Sequence, residues 1–253
     1  MSIVQRVTEL PPLNASKPPR VAEGIRVYAV GDIHGEIDIL RNLHRQMEAD
    51  QAAHRNRIQQ EIYLGDMVDR GPDSAAVLST LIERRRARGT ICLSGNHEDM
   101  MLEAHRGLAA FIHWIALGGL PAVLSYLPEL APVVGELEVR ELWDRWRRAI
   151  PEAHLTFLHS LSVTHVCGDY LFVHAGVRPG VPVEAQSRHD CLWIRHDFLR
   201  SEETFSHVVV HGHTPAPVPE LRANRIGIDT GAVFTGRLTC LVLDGSEQTL
   251  LST

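Results

Sequence analysis

Three times in the first hundred residues a short apolar run closes on glycine followed by a metal-competent polar residue. Val27–Val30 ends in Gly31-Asp32 and is followed by Ile37, Leu40, Leu43 and Met47 at helical spacing, which predicts a buried strand and then an amphipathic helix. Residues 61–64 form a second run that ends in Gly65-Asp66. A predicted helix follows over 75–82 with Val77, Leu78 and Leu81 on one side, and a third run, 90–93, leads into Gly95-Asn96. The intervals of 34 residues from Asp32 to Asp66 and 30 from Asp66 to Asn96 match strand-helix-strand units with parallel strands. Right-handed crossovers then carry all three strand ends to one edge of one sheet.

Between about residue 104 and residue 161 the pattern changes to Leu, Ala, Trp and Pro with interspersed charge, which predicts a helical insertion. No chemical motif is legible in it, and a lid or a purely structural cap are both open. Trp143 and Trp146, three apart, read as packing residues. Strand signals resume at 163–166 and 170–173, joined at Gly168-Asp169 as a hairpin turn would be. Further strands are expected at 207–210, 225–228 and 238–243, forming a second, largely antiparallel sheet packed on the first. Residues 1–24, with Pro11, Pro12, Pro18 and Pro19 and little periodicity, predict an irregular arm before a single domain over 25–253.

Composition narrows the class. The chain is 44% hydrophobic and 22% charged, ordinary for a globular protein with a substantial core. No apolar run is read as reaching the roughly 18 to 20 residues of a membrane-spanning helix, and the amino terminus lacks a basic region followed by an apolar stretch. A cytoplasmic protein without a membrane partner is expected. The scattered cysteines Cys92, Cys167, Cys191 and Cys240 predict free thiols, without a zinc knuckle or a disulfide framework. A formal charge of -6 argues against nucleic acid as a partner. The basic run at Arg84, Arg85, Arg86 and Arg88 reads as a solvated helix terminus, where arginine suits the carbonyl end.

The chemistry lies at the predicted strand ends: Gly31-Asp32-Ile33-His34-Gly35, Gly65-Asp66, Gly95-Asn96-His97-Glu98, His174-Ala175-Gly176 and His211-Gly212-His213. Any one fragment alone reads as a turn or a cap. Five in order, each at a strand end, point to a common site. Carboxylate, imidazole and amide oxygen together suit manganese, iron or zinc.

These motifs, with Gly65-Asp66-Met67-Val68-Asp69-Arg70-Gly71 and Gly212-His213-Thr214, resemble the ordered signature of the phosphoprotein phosphatases among the calcineurin-like metallophosphoesterases. Within that family the chain resembles the small bacterial and phage lambda type serine/threonine phosphatases. The resemblance spans residues 31–214 and extends through 229–232, leaving the arm and the insertion uncovered. It implies an α/β fold (α+β by some definitions), a β-sandwich of two mixed sheets flanked by helices. It also implies two divalent metal ions, Mn2+ foremost with Fe or Zn as alternatives. Asp32 and His34 would hold the first, Asp66 would bridge, and Asn96, His174 and His213 would hold the second. His213 fits the pattern better than His211, whose contact with a metal stays open. Arg70 and Arg195 would bind phosphate, a role guanidinium fills with a bidentate fork. His97, oriented by Asp69, would be the general acid that protonates the leaving alcohol.

Two dications about 3.5 to 4 Å apart can generate hydroxide from a shared water for in-line attack on phosphorus. With two carboxylates and one hydroxide the site keeps a charge of roughly +1, attractive to a phosphate dianion even in an acidic protein. The expected function is therefore a phosphomonoesterase acting on a phosphoprotein or small phosphoester, foremost a serine/threonine protein phosphatase. A dinucleoside polyphosphate hydrolase is the alternative. That branch of the superfamily typically lacks the Val-Asp-Arg-Gly form and carries Asp after Asn-His, where this chain has Glu98. A phosphoprotein-binding module without catalysis would have lost a ligand or the acid, and none is missing. The oligomeric state is not legible.

Overall fold

The structure is a computed structural model that describes residues 3–6 and 18–253. Strand β1 (Ile3–Arg6) is followed by β2 (Ile25–Val30), helix α1 (Ile37–Ala53), β3 (Ile58–Tyr63), α2 (Ser74–Arg88) and β4 (Ile91–Cys92). A helical segment comes next: α3 (Asn96–Arg106), α4 (Leu108–Trp114), a π-helical turn at Ile115–Gly119, α5 (Leu120–Tyr126), two short 3-10 turns, α6 (Val139–Ala149) and α7 (Glu152–His159). The chain then forms β5 (Thr164–Cys167), β6 (Tyr170–Val173), α8 (Arg188–Trp193), α9 (His196–Leu199), β7 (Val208–His211), β8 (Glu220–Leu221) and β9 (Arg225–Gly227). It ends with α10 (Ala232–Thr235), β10 (Thr239–Asp244) and β11 (Glu247–Ser252).

Two mixed sheets result, one ordered β1-β11-β10-β2-β3-β4 and the other β5-β6-β7-β9-β8. As expected from the spacing, β2, β3 and β4 are parallel, with Val30 beside Tyr63 and Tyr63 beside Cys92. The register leaves Asp32, Asp66 and Asn96 just beyond three adjacent strand ends. The second sheet departs from the antiparallel expectation. Its outer pairings are antiparallel, but β6 with β7 and β7 with β9 are parallel. The residues between β6 and β7 include α8 and α9, which supply the crossover a parallel pair requires. Those helices are only six and four residues long, too short for a periodic signal.

Both sheets are covered on both faces. Along β2, Val27 and Ala29 face the core between the sheets, whereas Tyr28 and Val30 face the core beneath α1, α2 and the helical segment. Leu171, Val173 and Val209, on the outer face of the second sheet, pack on Cys191, Ile194 and Phe198 of the α8–α9 region. The order is therefore helices, sheet, sheet, helices. Burial on both faces explains why β2 reads as a continuous apolar run rather than an alternating one.

Other expectations need correction. The arm is not irregular throughout: Ile3–Arg6 pairs antiparallel with β11, capping an edge that would otherwise present unpaired backbone groups. Pro11 and Pro12 lie outside the described residues. Arg84 is not solvated. It forms ion pairs with Glu61, a buried residue of β3, and with Glu48. The stretch Leu108–Tyr126 is longer and more apolar than the sequence reading allowed: 19 residues with a mean hydropathy of 1.7, enough by length and composition to cross a membrane. The backbone is kinked at Gly118 (φ 110°), and Phe111, Trp114, Ala122 and Val123 are packed into the protein core.

The hairpin turns at Gly168-Asp169 as expected. Trp146 is buried and Trp143 donates to the Ala104 carbonyl at 2.8 Å, so both tryptophans pack. All four cysteines are free and buried.

Candidate metal centre

The strand ends meet because backbone groups of one loop bind those of the next. The amides of Ile33 and His34 both donate to the Asp66 carbonyl, at 3.0 and 2.8 Å. The Gly212 amide donates to the His174 carbonyl at 2.8 Å, and the His213 amide to the Asp32 carboxylate at 2.9 Å, which joins the two sheets. Gly65, with φ 100°, lets the second loop lie against the third: a Cβ there would stand 2.5 Å from the Gly95 nitrogen.

Among the described residues, the non-glycine positions with positive φ are His34, Asp66, Asp69, Arg70 and His213. All five belong to the site expected from the sequence. Such backbone costs energy and persists only where its surroundings over-determine it, which is common at functional sites.

Asp66 stands at the centre. Its Oδ2 lies 3.5 Å from His34 Nε2 and its Oδ1 lies 3.3 Å from His174 Nε2, so its two oxygens face two groups of donors. One group of metal-competent side chains is His34, Asp66 and His97; the other is Asp66, His174 and His213. His174 Nε2 is also 3.0 Å from Asn96 Oδ1 and 3.2 Å from His213 Nδ1.

Both His34 and His174 have Nδ1 beside a backbone carbonyl, Val68 at 2.9 Å and Leu64 at 3.0 Å. A proton on Nδ1 leaves the lone pair on Nε2, the tautomer a metal needs. Asp32 Oδ1 and His213 Nε2 are buried without a hydrogen-bond partner. Facing lone pairs and orphaned acceptors are what a cation would satisfy, so these residues fit a divalent metal pair.

The protonation tendencies agree. Burial lowers His34 to about 3 and His213 to about 2, so both rings are neutral near pH 7, as ligands must be. Burial, with Asp229 and Asp66 nearby, pushes the Asp32 carboxyl well above its usual range. Burial also opposes ionisation of Asp66, but His174, His97 and His34 together hold it well below that range. In turn burial disfavours a charged His174, while Asp66 draws a proton to it and raises it. A bound dication would supply the charge that this proton supplies and keep Asp32 ionised.

The other expected residues surround this cluster. His97 Nδ1 lies 2.6 Å from Asp69 Oδ2, and its ring meets that of His34 edge-on at 4.8 Å. Arg70 Nη1 donates to His34 Nε2 at 2.6 Å, so occupation of that lone pair by a metal requires the guanidinium to move aside. Arg195 lies on the rim and donates to Thr214 Oγ1 at 3.3 Å, beside His213. His211 turns elsewhere: its ring packs edge-on against Phe198 at 5.0 Å, although its Nε2, like that of His213, is buried without a hydrogen-bond partner.

Three residues make contributions to which the motifs assign no role. Glu98 is fully buried and its carboxylate accepts from the amides of Gly95, Asp66, Met67 and Val68, tying the second and third loops together. Asp229, buried beside Asp32, adds negative charge to the site. Trp114, from the helical segment, donates its indole N–H to Asp69 Oδ2 at 2.7 Å. The break Gly118-Gly119 within an otherwise helix-forming run is the one sequence signal that marks this neighbourhood.

Two parallel-strand units closing on a shared Asp-centred cluster define a metallophosphoesterase architecture. A calcineurin-like phosphoesterase profile matches residues 25–237, and the chain belongs to that family. It is 30% identical over 220 residues to serine/threonine-protein phosphatase 1 of Salmonella typhimurium, covering 84% of this chain and 89% of that protein. It is 27% identical over 227 residues to the asymmetrical bis(5'-nucleosyl)-tetraphosphatase PrpE of Anoxybacillus flavithermus, covering 84% and 88%. The crystal structure of a putative diadenosine tetraphosphatase superimposes with a TM-score of 0.61 at 21% identity, covering 90% and 92%, which shows a shared fold. The chain is a hydrolase of the metallophosphoesterase class, a family that uses a dinuclear divalent metal centre.

Proposed function

We propose that this protein is a phosphomonoesterase that removes phosphate from serine and threonine side chains of proteins in the cytoplasm, with Mn2+ as the favoured metal. The observation that carries this reading is the buried pair of His97 and Asp69 beside the ligand cluster. A serine or threonine alkoxide is a poor leaving group and needs a proton as the P–O bond breaks. A polyphosphate leaving group needs none. An oriented imidazole at this place is therefore of most use to a substrate with an aliphatic alcohol.

Asp32, His34, Asp66, Asn96, His174 and His213 would hold the two ions. Once bound, a dinuclear centre lowers the pKa of a water and clamps phosphoryl oxygens for in-line displacement. Arg70 and Arg195 bind the phosphoryl group, Arg70 beside His34 and Arg195 beside His213. Asp69 holds the His97 proton on Nδ1, so the transferable proton is the one on Nε2. Burial raises Asp69 overall, against the pull of His97 and Trp114. His97 is lowered by burial yet raised overall by Asp66 and Asp69, which favours the imidazolium an acid requires.

A second reading, hydrolysis of dinucleoside tetraphosphates, has support from the PrpE relatives and from the half-exposed Trp193, whose ring lies 6.3 Å from that of His213. An aromatic face on the rim suits a nucleobase.

Phosphoserine, phosphothreonine and phosphotyrosine peptides compared with diadenosine tetraphosphate on Mn2+-loaded enzyme separate the two. The phosphoserine and phosphothreonine peptides are expected to have the highest kcat/KM. If the dinucleotide leads by a wide margin, the protein-phosphatase reading is wrong. In the same assays His97→Asn is expected to slow peptide hydrolysis about 100-fold or more and an activated aryl phosphate far less.

A further inference from the structure

The helical segment reaches the catalytic centre through one side chain and one carbonyl. The Trp114 indole N–H donates to Asp69 Oδ2 at 2.7 Å, the same oxygen that lies 2.6 Å from His97 Nδ1. Asp69 Oδ1, by contrast, is buried with no partner, so both donors load one oxygen of the carboxylate. That asymmetry decides which oxygen faces His97. With the imidazole as sole donor, the carboxylate could rotate about its Cβ–Cγ bond and the ring could follow it.

The indole itself is fixed. Trp114 is fully buried, with its ring centroid 4.8 Å from that of Trp146 and 6.1 Å from that of Phe111. Just after it the chain makes the π-helical turn Ile115–Gly119. A Cβ at Gly119 would stand 2.4 Å from the Trp114 ring, so this glycine leaves the space the indole fills. One residue earlier, the Gly118 carbonyl accepts from the Arg70 amide at 2.9 Å. A single irregular turn thus holds two consecutive residues of the centre, Asp69 and Arg70, and such turns inside helices are frequent at functional sites.

We propose that Trp114 is a positioning residue for leaving-group protonation: its indole N–H fixes the Asp69 carboxylate that aims His97. This rests on the reading of His97 as the general acid. As the P–O bond to the alcohol breaks, the His97 Nε2 proton passes to the departing oxygen, which keeps the bonding electron pair, and His97 becomes neutral. Asp69 and Trp114 exchange no proton in that step. The helical segment then belongs to the catalytic machinery and is more than a cap.

The test uses metal-loaded enzyme with metal content checked for every variant, and two substrates: a phosphoserine peptide and an aryl phosphate with a good leaving group. Trp114→Phe keeps an aromatic ring and removes the donor. It is expected to lower kcat on the peptide about tenfold, a part of the ~10²–10⁴-fold available to general acid catalysis, with KM unchanged and the aryl phosphate rate nearly unaffected. Gly119→Ala, which displaces the indole without altering it, should reproduce the split if Trp114→Phe packs poorly. Adding Trp114→Phe to His97→Asn should cost nothing further.

Equal losses on both substrates in Trp114→Phe and Gly119→Ala, or multiplying losses in the double variant, overturn the positioning role while leaving His97 as the acid. If His97→Asn alone shows no preference between the two substrates, the acid assignment falls and this inference falls with it.

Discussion

Glu98 shows how much of a metal centre rests on a residue that would never touch the metal. Its carboxylate accepts four backbone amides, from Gly95 at 2.7 Å, Met67 at 2.7 Å, Asp66 at 2.9 Å and Val68 at 3.2 Å. Burial and the neighbouring Asp66 push it up to about 7 against the pull of those donors. Only an acceptor with two oxygens can serve all four amides. Glu98→Gln places an NH2 against N–H groups, so it is expected to lose about 1–3 kcal/mol of stability in denaturant unfolding. It should also weaken metal binding by about 10- to 100-fold in calorimetric titration, as loss of groups that orient ligands does. Unchanged metal affinity would show that the loops hold Asp66 and Asn96 without it.

The same scale explains which residues a motif reading found. Asp32, His34, Asp66, Asn96, His174 and His213 bear side chains whose chemistry announces itself, and each is flanked by glycine or, for His174, lies two residues from it. Glu98 was visible as part of a motif, but its hydrogen bonds were not. Trp114 was invisible because an indole in an apolar helix looks like any packing residue until its N–H is seen to have a partner.

At the scale of elements, α1 and α2 carry buried charge and polarity beneath the first sheet. His44 on α1 has Nε2 2.9 Å from the Tyr63 hydroxyl, and Arg84 on α2 pairs with Glu61 of β3. Burial, with Arg84 and Arg88 nearby, lowers His44 to about 3 from its ordinary 6.5. The unfolded chain then binds a proton that the folded protein excludes. His44 therefore leaves stability intact above about pH 6.5, and stability falls as pH drops from there toward 3, at most by about 1.4 kcal/mol per pH unit. His44→Gln should flatten that part of the curve of unfolding free energy against pH; an unaltered slope would show that other groups govern it.

Elements also mark where periodicity ran out. Six-residue strands buried on both faces and helices of 15 and 17 residues are long enough to identify, and they emerged where expected. The two-residue β8, the four-residue α9 and α10, and the edge pairing of β1 are too short to carry a period, and their existence depends on what lies beside them.

At the scale of the molecule, Asp32, Asp66 and Asp229 gather where two sheets meet, in the company of several imidazoles. Cations bound there should stabilise the whole fold, because they bind the assembled site and not the unfolded chain. Thermal unfolding after chelation is expected at a lower Tm, with activity lost. Mn2+ at about 100 times its dissociation constant should restore roughly 2.7 kcal/mol together with turnover. A Tm indifferent to chelation and re-addition would mean that these carboxylates are held without metal.

What the sequence by itself determined was the local chemistry: three parallel strands with a metal-competent side chain just beyond each end, the ordered set of such side chains and the family the chain belongs to. Those features are legible because side-chain type and spacing of about 30 residues are properties of the chain alone. Only the tertiary structure decided that β6, β7 and β9 run parallel, that His213 rather than His211 faces Asp66, and that the helical segment grips Asp69 and Arg70. Each of these depends on which distant segments come to lie side by side. A single hydrogen bond from Trp114 to Asp69 spans 45 residues of sequence, and no local pattern encodes it.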